Sequence, residues 1–225
     1  MTARLTPDSS TFPHLDGPVL ILGAAYTGKS EIAQNTLEPQ AKTVVIGTAD
    51  LREGLLRSRV EELRKLRPAH WDHVEAGADL GAQLSSLAKV YPQILLDSLN
   101  QWVANRMIQN VQKYSIEQLT QHLELEAKSL YQAIESLPSG CRIVMVSSEV
   151  GAGIAPPKAV ARVFRQTVSR INCQVAALSP SVLLVSAGIP MLIKGSWPAE
   201  ALSQLEATTA LASKERPMQR PQPKG

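Results

Sequence analysis

The sequence predicts an α/β fold, a mostly parallel sheet with helices on both faces, and three observations carry that prediction. Short apolar runs rich in Val, Ile and Leu recur along the 225 residues, separated by amphipathic stretches of helical period. That alternation supplies the crossover helices that parallel strands require. The first run, Val19 to Leu22, stops at Gly23-Ala24-Ala25-Tyr26-Thr27-Gly28-Lys29-Ser30, and a helical pattern restarts directly behind it. A later run, Ile94-Leu95-Leu96, ends in Asp97, a carboxylate at the strand end where open parallel sheets bind ligands.

Taken in order, residues 1–16 carry Pro, Ser and Thr without an apolar period and read as a flexible leader. Residues 17–197 hold a single α/β domain, and 198–225 a short helix followed by a disordered basic tail. Ile32, Ala33 and Leu37 share a helical face until Pro39 closes that helix, and Thr43-Val44-Val45-Ile46 is β-branched and reads as the second strand. Leu51 to Leu66 returns to helical period, with Pro68 ending it, and Asp79 is a helix N-cap ahead of Leu80, Leu84 and Leu87. Ser115 with Gln118 forms a capping box for a helix that runs to Leu137. Arg142 to Val146 is a strand, and Pro156-Pro157 opens a helix with a stripe of Val160, Val163, Phe164, Val168, Ile171 and Val175. Val182 to Val185 and Met191 to Ile193 complete the strands.

The spacing G-x-x-x-x-G-K-S defines a phosphate loop, and with it the fold becomes that of a phosphate-loop NTPase. Gly23 and Gly28 take backbone conformations that a β-carbon resists, so the amides of Ala24, Ala25, Tyr26 and Thr27 can turn inward around a polyphosphate. Lys29 reaches the β- and γ-phosphates of ATP or GTP, and Ser30 offers a hydroxyl to Mg²⁺. Asp97 is the second expected Mg²⁺ ligand, and Asp97 or Glu149 would orient an attacking hydroxyl. Arg162 and Arg165, three apart on one helix face, are either phosphate-binding residues of the nucleotide site or surface arginines.

Composition narrows the classes further. A net charge of +3 is small and dispersed, against a nucleic-acid partner; the one basic cluster, Arg57, Arg59, Arg64, Lys65 and Arg67, reads as a solvated helix face. Cys141 and Cys173 lack metal-ligand spacing and read as reduced thiols. No apolar run approaches the ~18 residues of a membrane span and no signal-peptide pattern opens the chain, so the expectation is a soluble, cytoplasmic protein without a membrane partner.

Several stretches together resemble the adenosylcobinamide kinase/adenosylcobinamide-phosphate guanylyltransferase family. They are Gly23 to Ser30; Arg59-Val60 leading to Arg67-Pro68-Ala69-His70-Trp71; Ile94 to Leu99 with Trp102 and Asn105; Ser148 to Pro156; Arg162-Val163-Phe164-Arg165 with Asn172; and Ala187 to Lys194. The resemblance implies phosphorylation of a corrinoid hydroxyl by a nucleoside triphosphate, then GMP transfer from GTP through a guanylyl-histidine, in a homotrimer. The histidine belongs four or five residues before the Arg-Pro pair, where this chain carries Glu62 and Leu63. Leucine has no lone pair and glutamate would form a hydrolysis-prone mixed anhydride, so the expectation is the kinase half without the covalent step. Gln166 and Ser169 likewise stand where the family has an acid and a glycine. A nucleotide-binding relative with reduced catalysis and a kinase for another acceptor are the alternative readings.

Overall fold

The computed structural model describes residue 15, residues 17–49 and residues 54–198, with the backbone alone for 54–59. The leader apart from Leu15, and the helix and basic tail expected beyond 198, lie outside the described residues. The elements run β1 (Val19–Gly23), α1 (Lys29–Asn35), β2 (Thr43–Gly47), α2 (Gly54–Lys65), β3 (Asp72–Glu75), α3 (Leu80–Leu87), β4 (Gln93–Asp97), α4 (Leu99–Asn110), α5 (Ile116–Glu135), β5 (Arg142–Val146), α6 (Ala159–Leu178), β6 (Ser181–Ser186) and β7 (Ile189–Lys194).

The strands form one seven-stranded sheet in the order β3-β2-β4-β5-β1-β6-β7, parallel except for the edge strand β7. The central strands are apolar throughout because both faces are covered, the pattern expected of parallel strands between helices. In β1, Leu20 and Leu22 face α3, α4, α5 and α6, while Val19 and Ile21 face Ile32, Ala33 and Leu37 beside α1. Fully buried aliphatics such as Leu80, Leu84, Leu96 and Leu119 each contribute about 2 kcal/mol through the area they remove from water. The β6–β7 hairpin turns through Ala187 and Gly188 at φ 50 and 81, the left-handed pair that suits a two-residue connection.

Three expectations change. Leu15, expected in a leader outside the fold, is buried in the α1-side core, so the chain is anchored before its first strand. β3 and α4 were not expected from the residue pattern. β3 is an exposed edge strand with one half-buried apolar residue, Val74, so it lacks an apolar run; α4 buries only a narrow stripe, Leu99, Trp102, Val103 and Met107. Arg67, expected on a solvated face, is 5% exposed and turned beneath the end of β4.

Candidate functional site

The site grows from the carboxyl ends of β1 and β4, which β5 holds one strand apart. After β1, Gly28 at φ 89 starts α1 and allows its carbonyl to accept from Ile32 N–H at 3.0 Å. Gly23 is required for a second reason: a β-carbon there would lie 2.4 Å from the carbonyl oxygen of Val185. Thr27 Oγ1 and Lys29 Nζ both donate to Ala24 O, at 2.9 and 2.5 Å, so the loop is closed over its own lysine. Tyr26 stands at the loop apex, exposed and at positive φ.

Asp97 joins the two halves. Its Oδ1 accepts from Ser30 Oγ at 3.0 Å, and its Oδ2 lies 3.6 Å from Arg67 Nη2. Two hard oxygens side by side next to a polyphosphate loop are the donor set a Mg²⁺ ion favours. Gln34, with its amide oxygen toward the guanidinium, accepts from Arg67 Nε and Nη2 at 2.9 and 3.1 Å. Arg67 Nη1 also lies 3.3 Å from His73 Nδ1. Burial pulls the Arg67 guanidinium below its ordinary value, Asp97 pushes back, and Arg64 adds to the lowering. His73 is lowered too, by burial first and then by Arg67 and Arg64. Its imidazole is therefore neutral near pH 7, the form that accepts from the guanidinium.

The loop after β2 is tied to the residue after β4. Thr48 Oγ1 accepts from Ser98 N–H at 2.6 Å and donates to Ser98 O at 2.8 Å, while Asn105 Nδ2 donates to Thr48 O at 2.7 Å. Ala25, Tyr26, Lys29, Ser30, Leu63, Asp97 and Ser148 line a pocket of about 230 Å³ over the phosphate loop. Thr48 and Ala49 line this pocket and also a second cavity of about 580 Å³, where Glu75, Trp102, Asn105 and Gln109 contribute.

The structure thus brings Lys29, Ser30 and Asp97 together with the loop residues Ala25 and Tyr26. Glu149 is placed otherwise: its N–H donates to Gly23 O at 3.1 Å, but its exposed carboxylate accepts from Gly151 N–H at 2.6 Å. Arg162 and Arg165 line a different cavity, with Arg162 donating to the carbonyls of Pro156 and Pro157 and Arg165 to that of Gly151. Of the two positions where the resemblance places the family's histidine, Glu62 is exposed and Leu63 lines the phosphate-loop pocket. Residue-level reasoning missed Thr48, Gln34 and the Arg67–Asp97 pair. The Arg-Pro stretch was the only signal for Arg67.

This fold and this loop, with a serine and an aspartate meeting beside it, define a phosphate-loop α/β protein of the nucleoside-triphosphate-binding class. Among solved structures, an ATPase from the type III secretion system of pathogenic bacteria aligns with TM-score 0.51 at 11% identity, over 88% of this chain and 63% of that one. The assembled ATPase EscN from enteropathogenic E. coli aligns with TM-score 0.50 at 12% identity, over 91% of this chain and 57% of that one. These likenesses concern the fold alone. The chain belongs to the cobinamide kinase / cobinamide phosphate guanyltransferase family, whose sequence profile matches residues 19–193. The bifunctional adenosylcobalamin biosynthesis protein CobU of Escherichia coli K12 is 29% identical over 181 residues, 78% of this chain and 99% of its own. The bifunctional adenosylcobalamin biosynthesis protein CobP of Pseudomonas aeruginosa is 32% identical over 177 residues, 78% of this chain and 96% of its own.

Proposed function

We propose that this chain is a nucleoside-triphosphate-dependent kinase of the cobinamide hydroxyl and does not pass GMP through a covalent histidine. The observation that carries the reading is Leu63: an aliphatic side chain lines the phosphate-loop pocket at one of the two positions where the resemblance places the family's histidine. Its partner position, Glu62, is exposed.

In this reading the loop amides and Lys29 grip the β- and γ-phosphates and take up the charge that builds on them during transfer. To do so Lys29 exchanges Ala24 O for phosphate oxygen. Ser30 and Asp97 would hold Mg²⁺, which supplies charge neutralisation across the phosphates. Asp97 also orients the acceptor hydroxyl, because it lines the phosphate-loop pocket and Glu149 does not. The bond from the γ-phosphorus to the bridging oxygen breaks, a bond to the acceptor oxygen forms, and the hydroxyl proton leaves to solvent. The larger cavity beyond Thr48 and Ala49 takes the parts of the substrates that extend past the phosphates. Like other members of the family, the chain would act as a soluble cytoplasmic homotrimer; among the described residues no helix is long and apolar enough to cross a membrane.

The test is turnover with purified protein, Mg²⁺, cobinamide and either ATP or GTP, followed by mass spectrometry of the corrinoid. A parallel incubation uses GTP labelled at the α-phosphate. Phosphorylated corrinoid, no acid-labile label on the protein, and loss of both turnover and nucleotide binding in Lys29→Ala are expected. Acid-labile label on the chain would overturn the kinase-only reading, and undiminished turnover in Lys29→Ala would remove the phosphate loop from the mechanism.

A further inference from the structure

A separate cavity, of about 400 Å³, lies between the loop that follows β5 and the first turns of α6. Arg162, Arg165, Gln166, Ser169 and Arg170 line it from the helix, and Gly151, Ala155 and Pro156 from the loop. Among the described residues no carboxylate lines it. Arg170 is neutralised by Glu124, but Arg162 and Arg165 bond only main-chain carbonyls and have no acidic partner among the described residues. The opening turn of α6 carries no acid either, although acids are favoured at a helix start. Two guanidinium groups one turn apart face one hollow, and an anion between them would relieve their mutual repulsion.

We infer that this cavity is a second anion site, separate from the phosphate loop, that takes a phosphate dianion, free or as a phosphomonoester. The donors suit that chemistry: guanidinium forks pair with phosphate oxygens two at a time, and the Ser169 hydroxyl and Gln166 amide add neutral donors for the remaining oxygens. Gln166 is decisive for charge, since an acid at this exposed position would cancel one of the two arginines. The cavity is linked to the phosphate loop through Glu149 by two hydrogen bonds. Gly151, whose carbonyl Arg165 holds, donates its N–H to Glu149, whose own N–H is bonded to Gly23 O. An anion in the cavity competes with Gly151 O for Arg165.

Equilibrium dialysis of the full chain with radiolabelled inorganic phosphate tests the site, with circular dichroism to check folding. Wild type and Lys29→Ala should each bind one phosphate that saturating MgATP does not displace. Gln166→Asp, which puts a carboxylate into the cavity without touching a packed residue, should weaken that binding roughly tenfold, and Arg162→Gln by a similar factor. Displacement by glycerol 1-phosphate below the concentration of inorganic phosphate needed would assign the site to a phosphomonoester; weaker displacement would assign it to free phosphate. Binding that is absent, lost in Lys29→Ala, displaced by MgATP, or unchanged in both Gln166→Asp and Arg162→Gln overturns the proposal. Because no step uses corrinoid turnover, failure of the kinase assay and failure of this one are separate results.

Discussion

Replacing Arg67 by Met removes a guanidinium that is 5% exposed and leaves a side chain of similar length in its place. At 3.6 Å from Asp97 Oδ2 the pair is worth about 4–5 kcal/mol at an effective dielectric of about 20. Desolvation of the guanidinium offsets several kcal/mol of that, but the substitution also takes the cation from the Asp97 carboxylate, which keeps Ser30 Oγ, and both Arg67 donors from the Gln34 amide oxygen. Breaking a buried pair from one side costs about 3–5 kcal/mol, so Arg67→Met should lower the melting temperature by about 10 °C in a domain of this size. The assay is urea unfolding followed by circular dichroism for wild type, Arg67→Met, Asp97→Asn and the double variant. Because Asp97→Asn neutralises the carboxylate that has lost its cation, the double variant should be more stable than the sum of the singles by about 2 kcal/mol. Additivity within about 0.5 kcal/mol, or a single variant as stable as wild type, refutes the pairing.

Three further outcomes follow from other parts of the site and scaffold. Gly23→Ala should destabilise far more than Gly28→Ala in the same urea assay: the added β-carbon lies 2.4 Å from Val185 O at the first position and meets nothing within 4 Å at the second. At Gly28 only the left-handed backbone penalty of about 1–2 kcal/mol applies; equal losses would mean that β6 does not press on the loop. His73 is held below its ordinary pKa, so the unfolded chain takes up the proton first as pH falls below about 6.5, and stability drops from there until the folded pKa is passed. The drop between neutral and mildly acidic pH should therefore be smaller in His73→Gln than in wild type, by chemical denaturation at both pH values. Asp79 accepts from Ala82 N–H at 2.9 Å and from Ser129 Oγ at 3.0 Å, which lowers its pKa, so its contribution is present above the ordinary carboxylate range and lost as pH falls through the folded value. Asp79→Ala should cost about 1 kcal/mol near pH 7 and nothing measurable once the wild-type carboxylate is protonated, read from urea midpoints.

What could be read from the residues was what local chemistry dictates. The apolar runs of β1, β2, β4, β5 and β6 and the glycine spacing of the phosphate loop are patterns over neighbouring positions, as is the capping box that opens α5. Lys29, Ser30 and Asp97 were legible because a loop motif and a strand end imply each other. Unread were interactions whose partners lie far apart in the chain: Arg67 with Asp97 and Gln34, and Thr48 with Ser98. β3 escaped because an edge strand with solvent on most sides needs no apolar period. Glu149 shows the opposite case: the chain delivers it to the right strand end, and a main-chain amide two residues later turns its carboxylate aside.

The placement of β5 has a further consequence. With adjacent strands about 4.8 Å apart, the ends of β1 and β4 are gauged at roughly 10 Å by two ladders of peptide hydrogen bonds, and no side chain sets that distance. The ruler is written in the backbone, which every sequence shares. Residues around the mouth can thus be exchanged while the span between phosphate grip and carboxylate stays put.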